Sequence, residues 1–412
     1  MENETHVAPM SPSGEKTILC LASYFKGNDF LAECKEQGYH VVLLTLESLL
    51  GKPWARDKID EVFALSSFAD RRHIINSVAY LARARDFSRI APLDDYDVET
   101  VAHLREFFRI PGIGETTARH VRDKLAMRQR AADRGIAIPE FVHVLNDARI
   151  AAFLKDVPAP WLIKPRAEAS AVGIKRFDRA EDVWPVVEQL GDKRSDYLIE
   201  RMVPGDVYHV DAIVSEREVV FAEVHRYRKP LLDVTTTGGI FMSSTVPRGS
   251  EIEGRVLATF KDVVRHLGLV RGVMHTEFIV GRDDGRVYFL ETAARVGGAH
   301  IADLVHASTG INLWREWAKI ELSQGEAPYA LPARRRDYGG LVVCLARQEH
   351  PDTSGYDDPE VVWRLSGTPP HHVGLVVRSA DHGRIQQLLD AYEPRIQQDF
   401  LATLPAPASP TA

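Results

Sequence analysis

Short apolar runs separated by stretches of helical spacing open the chain. Thr17-Ile-Leu-Cys-Leu-Ala-Ser23 is followed by a helical pattern to Gln37-Gly38-Tyr39, and then by a second run, His40-Val-Val-Leu-Leu-Thr45. Strand, helix and strand, with a glycine where the helix must stop, is the pattern of a βαβ unit in a parallel sheet. Runs near Ala64 and Ile90 and a helical pattern over Val98 to Phe108 continue the alternation, which predicts an open α/β domain over residues 16–120. A helix predicted over Asp123 to Arg134 ends at Gly135, and short strands and helices then alternate to about residue 325. After the basic, Pro-containing linker Leu331 to Asp337, two runs (Tyr338 to Arg347 and Val373 to Arg378) and a helix from His382 to about Ala391 predict a small α+β cap. The expected boundaries are 16–120, 121–328 and 329–403. The Pro-, Ser- and Ala-rich ends, 1–15 and 404–412, bury little and are expected as disordered tails.

Length agrees with this division, since 412 residues at about 150 per domain leave room for two or three domains. Hydrophobic residues make up 45% and charged residues 26%, the mixture of a globular protein. A net charge of −7 offers no global positive field for a phosphate backbone, so nucleic acid is not expected as a partner. Cys20, Cys34 and Cys344 have no metal-site or disulfide spacing, which points to a reduced, cytoplasmic protein. No apolar run approaches the roughly 18 residues of a spanning helix, and the polar start lacks the core of a signal peptide. No membrane association is expected.

Familiar cofactor signatures are missing. The first strand-to-helix turn, Ala22-Ser-Tyr-Phe-Lys-Gly27, is not G-x-G-x-x-G, and Gly112-Ile-Gly114 has Thr117 where a third glycine belongs. Neither G-x-x-x-x-G-K-[ST] nor H-E-x-x-H nor G-x-S-x-G occurs.

Other residues carry candidate chemistry. Trp161-Leu-Ile-Lys164-Pro165 reads as a strand, the small-residue run from Arg166 to Gly173 as a loop, and Ile174 to Phe177 as a return strand. A lysine beside a loop that exposes backbone N–H groups suits phosphates, while a hairpin with a solvated lysine would look the same. Tyr197 to Gly205 leads into the strand Val207 to Val214. Its apolar connection could offer backbone groups to an adenine edge, with Glu200 near the amino group, or could be a plain turn. Met274 to Glu291 holds two apolar runs around Asp283-Asp-Gly285, a hairpin. A three-residue loop sets Val280 opposite Tyr288 and Glu277 opposite Glu291 on one face, whereas a two-residue turn slips the register and separates the glutamates. Facing carboxylates repel unless a cation lies between them, and oxygen ligands suit Mg²⁺ or Mn²⁺. Arg295, four residues beyond Glu291, is placed to neutralise a phosphoryl group or to make a salt bridge. His275, His300, His371 and His372 read as structural. Arg226, Arg228 and Lys229 precede Gly238-Gly239 and face either an anionic substrate or solvent.

In order and spacing these pieces resemble the ATP-grasp superfamily, and in particular its carboxylate–amine ligases, over residues 16–325. The resemblance implies an open α/β domain, a two-lobed α+β ATP-grasp domain and a C-terminal α+β cap. It implies that Lys124 and Lys164 bind the phosphates of ATP, that the loop from Ser170 to Gly173 closes over them, and that Glu200, Arg201, Met202 and Val203 hold adenine. His209 then matches a ribose-side histidine, Glu277 and Glu291 carry magnesium or manganese, and Arg295 together with Lys164 serves the transferring phosphoryl group. Val207 stands where many members have a glutamate, and Ala293 replaces the asparagine of E-x-N-x-R, removing one usual metal ligand. The implied activity is ATP-dependent conversion of a small-molecule carboxylate to an acyl phosphate that an amine attacks. A carboxylase or kinase on the same fold and a nucleotide sensor without turnover are the alternatives. A homodimer through the first domain is implied by the resemblance alone.

Overall fold

The computed structural model describes residues 16–168, 172–232, 234, 238–365 and 369–402. Four parallel strands, β1 (Thr17–Ala22), β2 (His40–Leu46), β3 (Glu61–Leu65) and β4 (Phe87–Pro92), form a sheet in the order β3-β2-β1-β4. Every residue of β1 is buried, as a central parallel strand covered on both faces requires. Helices α1 (Asn28–Glu36), α2 (Arg71–Leu81) and α3 (Val98–Phe108) accompany it. The chain leaves α1 through Gly38 at φ 80°, and Asp70 caps α2 by accepting from the N–H groups of Arg72 and His73.

The helices α4 (Glu115–His120) and α5 (Lys124–Ala132) lead into a second sheet. Asp123 caps α5, accepting from Leu125 and Ala126, so Lys124 is the first residue of the helix. β5 (Phe141–His143), α6 (Asp147–Asp156), β6 (Trp161–Pro165), β7 (Lys175–Phe177), α7 (Ala180–Leu190) and β8 (Tyr197–Arg201) follow. The strands pair antiparallel in the order β5-β8-β6-β7, and Ile150 and Val183 of the two helices pack on Val142, Ile163 and Ile199.

The remaining strands build one antiparallel sheet of eight. They are β9 (Gly205–Ser215), β10 (Glu218–Tyr227), β11 (Phe241–Thr245), β12 (Gly272–Gly281), β13 (Val287–Ala293), β14 (Tyr338–Leu345), β15 (Val361–Arg364) and β16 (His372–Ser379). Their order is β13-β12-β9-β10-β11-β14-β16-β15. The segment expected as a cap therefore adds three strands to the large sheet, with β14 pairing β11 from Phe241↔Val343 to Ser244↔Gly340. Helix α8 (Glu251–Leu267) packs on one side of this sheet through Val256, Phe260 and Val263. On the other side lie α9 (Ile301–Thr309) and α10 (Leu313–Ser323), and α10 meets α1 where the Phe30 and Trp317 rings lie 5.0 Å apart. The last helix, α11 (His382–Asp399), runs well beyond the expected end near Ala391, straight through Pro394. Tyr392 and Ile396 are buried on either side of the proline, and Tyr392 Oη donates to Asp358 at 2.6 Å, so packing outweighs the lost backbone hydrogen bond.

Candidate active site

A cavity of about 600 Å³ is lined by β6 and β8 of the small sheet and by β12 and β13 of the large one. Lys124, Lys164, Glu200, Arg201, Met202, Val203, Glu277, Glu291 and Arg295 all border it, so the fold brings together most of the residues singled out in the sequence. Ser170 lies outside the described residues. Gly173, at φ 75°, turns the chain between the cavity-lining Val172 and Ile174.

The two lysines are not free side chains projecting into solvent. Lys164 is 2% exposed, and its Nζ lies 2.5 Å from Glu200 Oε1. Burial lowers its pKa to about 8 against the attraction of Glu200. Lys124 Nζ donates to the Glu168 carbonyl at 2.5 Å and lies 3.1 Å from Glu291 Oε2. Glu200 is held from its other side by Arg128, whose Nε and Nη2 reach Oε2 at 3.1 and 2.9 Å. Burial opposes the Glu200 charge, yet Arg128 and Lys164 keep its carboxyl below the usual range. Glu200 is thus the counter-ion of a buried lysine and a fully buried arginine as well as a residue of the expected adenine edge. Arg128 escaped the sequence reading, although it sits at i+4 from Lys124 on the same helical face.

The β8-to-β9 connection borders the cavity as expected. Arg201 is tied to Glu140 at 2.6 Å, and the Met202 N–H bonds the Pro160 carbonyl at 2.9 Å. His209 does not border the cavity. It shares a sheet face with Val207, which does, but Tyr227 stacks over it with ring centroids 4.6 Å apart. Both its nitrogens are engaged, Nδ1 with Asp211 at 2.7 Å and Nε2 with Ser243 Oγ at 2.7 Å. Burial pushes its pKa down to about 3. His209, expected beside a ribose, thus lies under Tyr227 and off the cavity lining in this structure.

Glu277 and Glu291 face each other, but by a different route from the one expected. Gly281 N–H bonds the Arg286 carbonyl at 2.9 Å, which makes the loop four residues long, from Arg282 to Gly285. Val280 therefore faces Val287 rather than Tyr288. The register shifts between Phe278↔Phe289 and Glu277↔Glu291, leaving Leu290 as an extra residue. This bulge restores the pairing of the glutamates, and the Leu290 carbonyl accepts from Arg128 Nη1. Against the burial that would raise it, Lys124 and Lys164 hold the Glu291 carboxyl at about 2. Glu277 Oε1 accepts from Tyr227 Oη at 2.8 Å. His275 lies between Asp211, 2.9 Å from its Nδ1, and Glu277, 3.5 Å from its Nε2. Burial disfavours its charge, but Asp211 and Glu277 push its pKa up to about 9.

Arg295 borders the same cavity. Its Nε is buried without a hydrogen-bond partner, while Nη1 donates to the Val296 carbonyl at 2.9 Å. Among the described residues it makes no ion pair, so its alternative as a salt-bridge residue has no partner here. An orphaned guanidinium N–H beside two facing carboxylates and two lysines fits a polyphosphate with a hard divalent cation, for which Glu277 and Glu291 would be the oxygen donors. Arg226 and Arg228 alternate with Tyr227 and leave the cavity. Arg226 pairs with Asp206 at 2.8 Å, and Arg228 and Lys229 pair with Glu393 at 2.6 and 2.7 Å. Tyr227, between them, is the residue that reaches the site, and strand alternation was the available signal for it.

Residues 157–303 match the ATP-grasp domain family. The chain is 25% identical over 271 residues to the L-arginine-specific L-amino acid ligase of Bacillus subtilis, a match covering 64% of this chain and 64% of that protein. It therefore spans somewhat less than two thirds of that relative's length. It is 25% identical over 250 residues to a D-alanine–D-alanine ligase of Cupriavidus necator, covering 58% of this chain and 76% of the relative. Among solved structures, L-amino acid ligase from Bacillus licheniformis superposes with a TM-score of 0.71 at 17% identity, covering 95% of this chain and 99% of the other. N5-carboxyaminoimidazole ribonucleotide synthetase from Thermus thermophilus gives 0.70 at 19% identity, covering 94% and 99%. At these identities the structural likeness establishes the fold.

Proposed function

We propose, for a chain that carries an ATP-grasp domain over residues 157–303, an ADP-forming carboxylate–amine ligase activity. ATP would phosphorylate a small-molecule carboxylate, and an amine would then displace phosphate to leave an amide. An amino acid is the proposed carboxylate, in keeping with the two ligases to which the sequence is similar. The observation that carries the reading is the convergence on one cavity of facing Glu277 and Glu291, the buried lysines 124 and 164, and the unpartnered Nε of Arg295.

Each group has a defined task in this reading. The segment from Glu200 to Val203 borders the adenine, and Lys124 and Lys164 meet the phosphates at the price of their present partners, Glu291 and Glu200. Mg²⁺ or Mn²⁺, held by Glu277 and Glu291, would neutralise charge on the phosphate oxygens. Arg295 stands ready for charge that develops on the transferred group, and its unmet Nε–H needs no reorganisation to accept it. Ala293 borders the cavity without a side-chain donor atom, so in this reading the two glutamates alone would supply carboxylate ligands. No described helix is long and apolar enough to cross a membrane, and Cys20, Cys34 and Cys344 are buried free thiols, which supports a reducing, cytoplasmic setting for the same proposal.

Incubation with ATP, Mg²⁺ and a pool of ¹⁸O-carboxylate amino acids tests it. One label should pass into released orthophosphate, and hydroxylamine should trap a hydroxamate when the amine is withheld. Release of AMP and pyrophosphate, or unlabelled orthophosphate, would count against the ligase.

A further inference from the structure

Beneath the two glutamates lies a buried polar cluster that the proposed chemistry leaves unused. His209, Asp211 and His275 bring ligand atoms within 4.8 Å of one another, and His225 stacks on His209 with ring centroids 4.9 Å apart. Strand pairing assembles the cluster. Asp211 on β9 faces His275 on β12, His209 faces Glu277 two residues on, and His225 on β10 faces His209. Alternation along β12 then puts His275 and Glu277 on the same face of the sheet.

Two features of geometry argue that the cluster is a hydrogen-bonded support and not a second metal site. His209 commits both nitrogens to Asp211 and Ser243. Its ring also lies close to parallel, at 18°, with that of His225, and Tyr227, stacked on it at 29°, brings no nitrogen to the cluster. What the cluster does reach is one oxygen of Glu277. Tyr227 Oη donates to Oε1 at 2.8 Å, and His275 Nε2 approaches the same oxygen at 3.5 Å while its Nδ1 is anchored on Asp211 at 2.9 Å. Among the described residues no hydrogen bond reaches Oε2.

We propose that Tyr227 and His275, the latter oriented by Asp211, are positioning residues that fix Glu277 through Oε1 and present Oε2 to the divalent cation. The inference rests on the reading of Glu277 as a metal ligand. Carboxylates that bind metals are commonly held by outer partners of this kind, because a carboxylate free to rotate gives up part of its binding energy to ordering.

The backbone of the Arg295 loop closes over this support. A side chain at Gly297 would begin 2.8 Å from Asp211 Oδ1 and 3.1 Å from His275 Nδ1, so only glycine lets the Asp211–His275 pair form beneath it. The requirement is one of space, and it ties the glycine after Arg295 to the orientation of a glutamate on another strand.

Mn²⁺ binding to the full chain, stripped with chelator and free of nucleotide, tests the proposal through the electron paramagnetic resonance signal of the unbound ion. Tyr227→Phe, which removes one hydroxyl, and His275→Gln should each raise the Mn²⁺ dissociation constant roughly 10- to 100-fold. Gly297→Ala, which deletes no donor, should do the same by pushing Asp211 and His275 apart, and it serves where His275→Gln does not fold. Glu277→Gln should abolish the tight site. Unchanged Mn²⁺ affinity in Tyr227→Phe and Gly297→Ala, with loss in Glu277→Gln, would overturn the positioning role and leave the ligand standing. Unchanged affinity in Glu277→Gln would remove the underlying reading itself. Zinc or another transition metal retained at one per chain, and lost in His209→Ala, would overturn the hydrogen-bonded assignment of the cluster.

Discussion

Lys164 and Glu200 form an ion pair whose halves should differ sharply in what their removal costs. Burial, only partly offset by Glu200, leaves the Lys164 pKa at about 8 in place of 10.5, a net cost of about 3 kcal/mol for its charge at neutral pH. Methionine at this position keeps the stem and discards that penalty together with the 2.5 Å contact. Glu200 meanwhile retains its two contacts to Arg128, at 3.1 and 2.9 Å. Lys164→Met should therefore be at least as stable as the parent protein, because that net cost already includes the Glu200 contact. Glu200→Gln does the opposite. It leaves two cations, 2% and 0% exposed, without their direct counter-ion, and should cost about 3–5 kcal/mol. Urea unfolding at pH 7 without nucleotide measures both, read from midpoints at unchanged slope. ATP binding should rank the variants differently, with Lys164→Met losing affinity even though its fold is intact. If the two variants prove equally unstable, or if Lys164→Met is the worse, the pair is not organised around Glu200 as counter-ion and the reasoning fails.

Two further outcomes follow from charges elsewhere. Glu291 has its carboxyl held at about 2, below its ordinary 4.5, so it contributes stability that is present above about pH 4.5 and is lost as pH falls through 2. With 31% of its side chain open, that contribution should be about 1 kcal/mol, and Glu291→Gln should lower the metal-free unfolding free energy by that much at pH 7 and by progressively less as pH falls from 4.5 toward 2. Asp97 behaves with the opposite sign. Burial lifts it from 3.8 to about 7, so the folded chain keeps a proton that the unfolded chain releases, and stability should fall as pH rises from about 4 to 7. Asp97→Asn should flatten that slope in unfolding midpoints taken at pH 5 and pH 8.

The sequence made the local patterns legible and left the long-range ones hidden. The runs that became β1 and β2 stood out because a strand buried on both faces is apolar throughout, and Lys164 stood out because charge at the end of such a strand is unusual. The facing glutamates were found with the wrong loop. A four-residue turn and a bulge at Leu290 cancel each other at Glu277, and neither leaves a mark in the alternation of residues around it. Arg128 was overlooked because an arginine on a helix ordinarily faces water, and only the approach of Glu200, 72 residues further on, makes it a buried partner. His209 shares its sheet face with the cavity-lining Val207. What covers it is Tyr227 from the neighbouring strand, which no spacing within β9 could reveal.

The pairing of β14 with β11 has a consequence for anyone who shortens this protein. Phe241 borders the cavity on one side of its strand, and the backbone of that strand is sealed by Val343, Val342, Leu341 and Gly340, about a hundred residues later. A truncation before Tyr338 would not simply remove an appendage. It would strip the rail from one side of Phe241–Thr245 and leave open N–H and C=O groups along a largely buried strand, the kind of edge that recruits any other chain able to extend beside it. The expected failure of such a fragment is self-association, and a search for a minimal soluble domain should therefore cut at the ends of the chain and not at its basic linker.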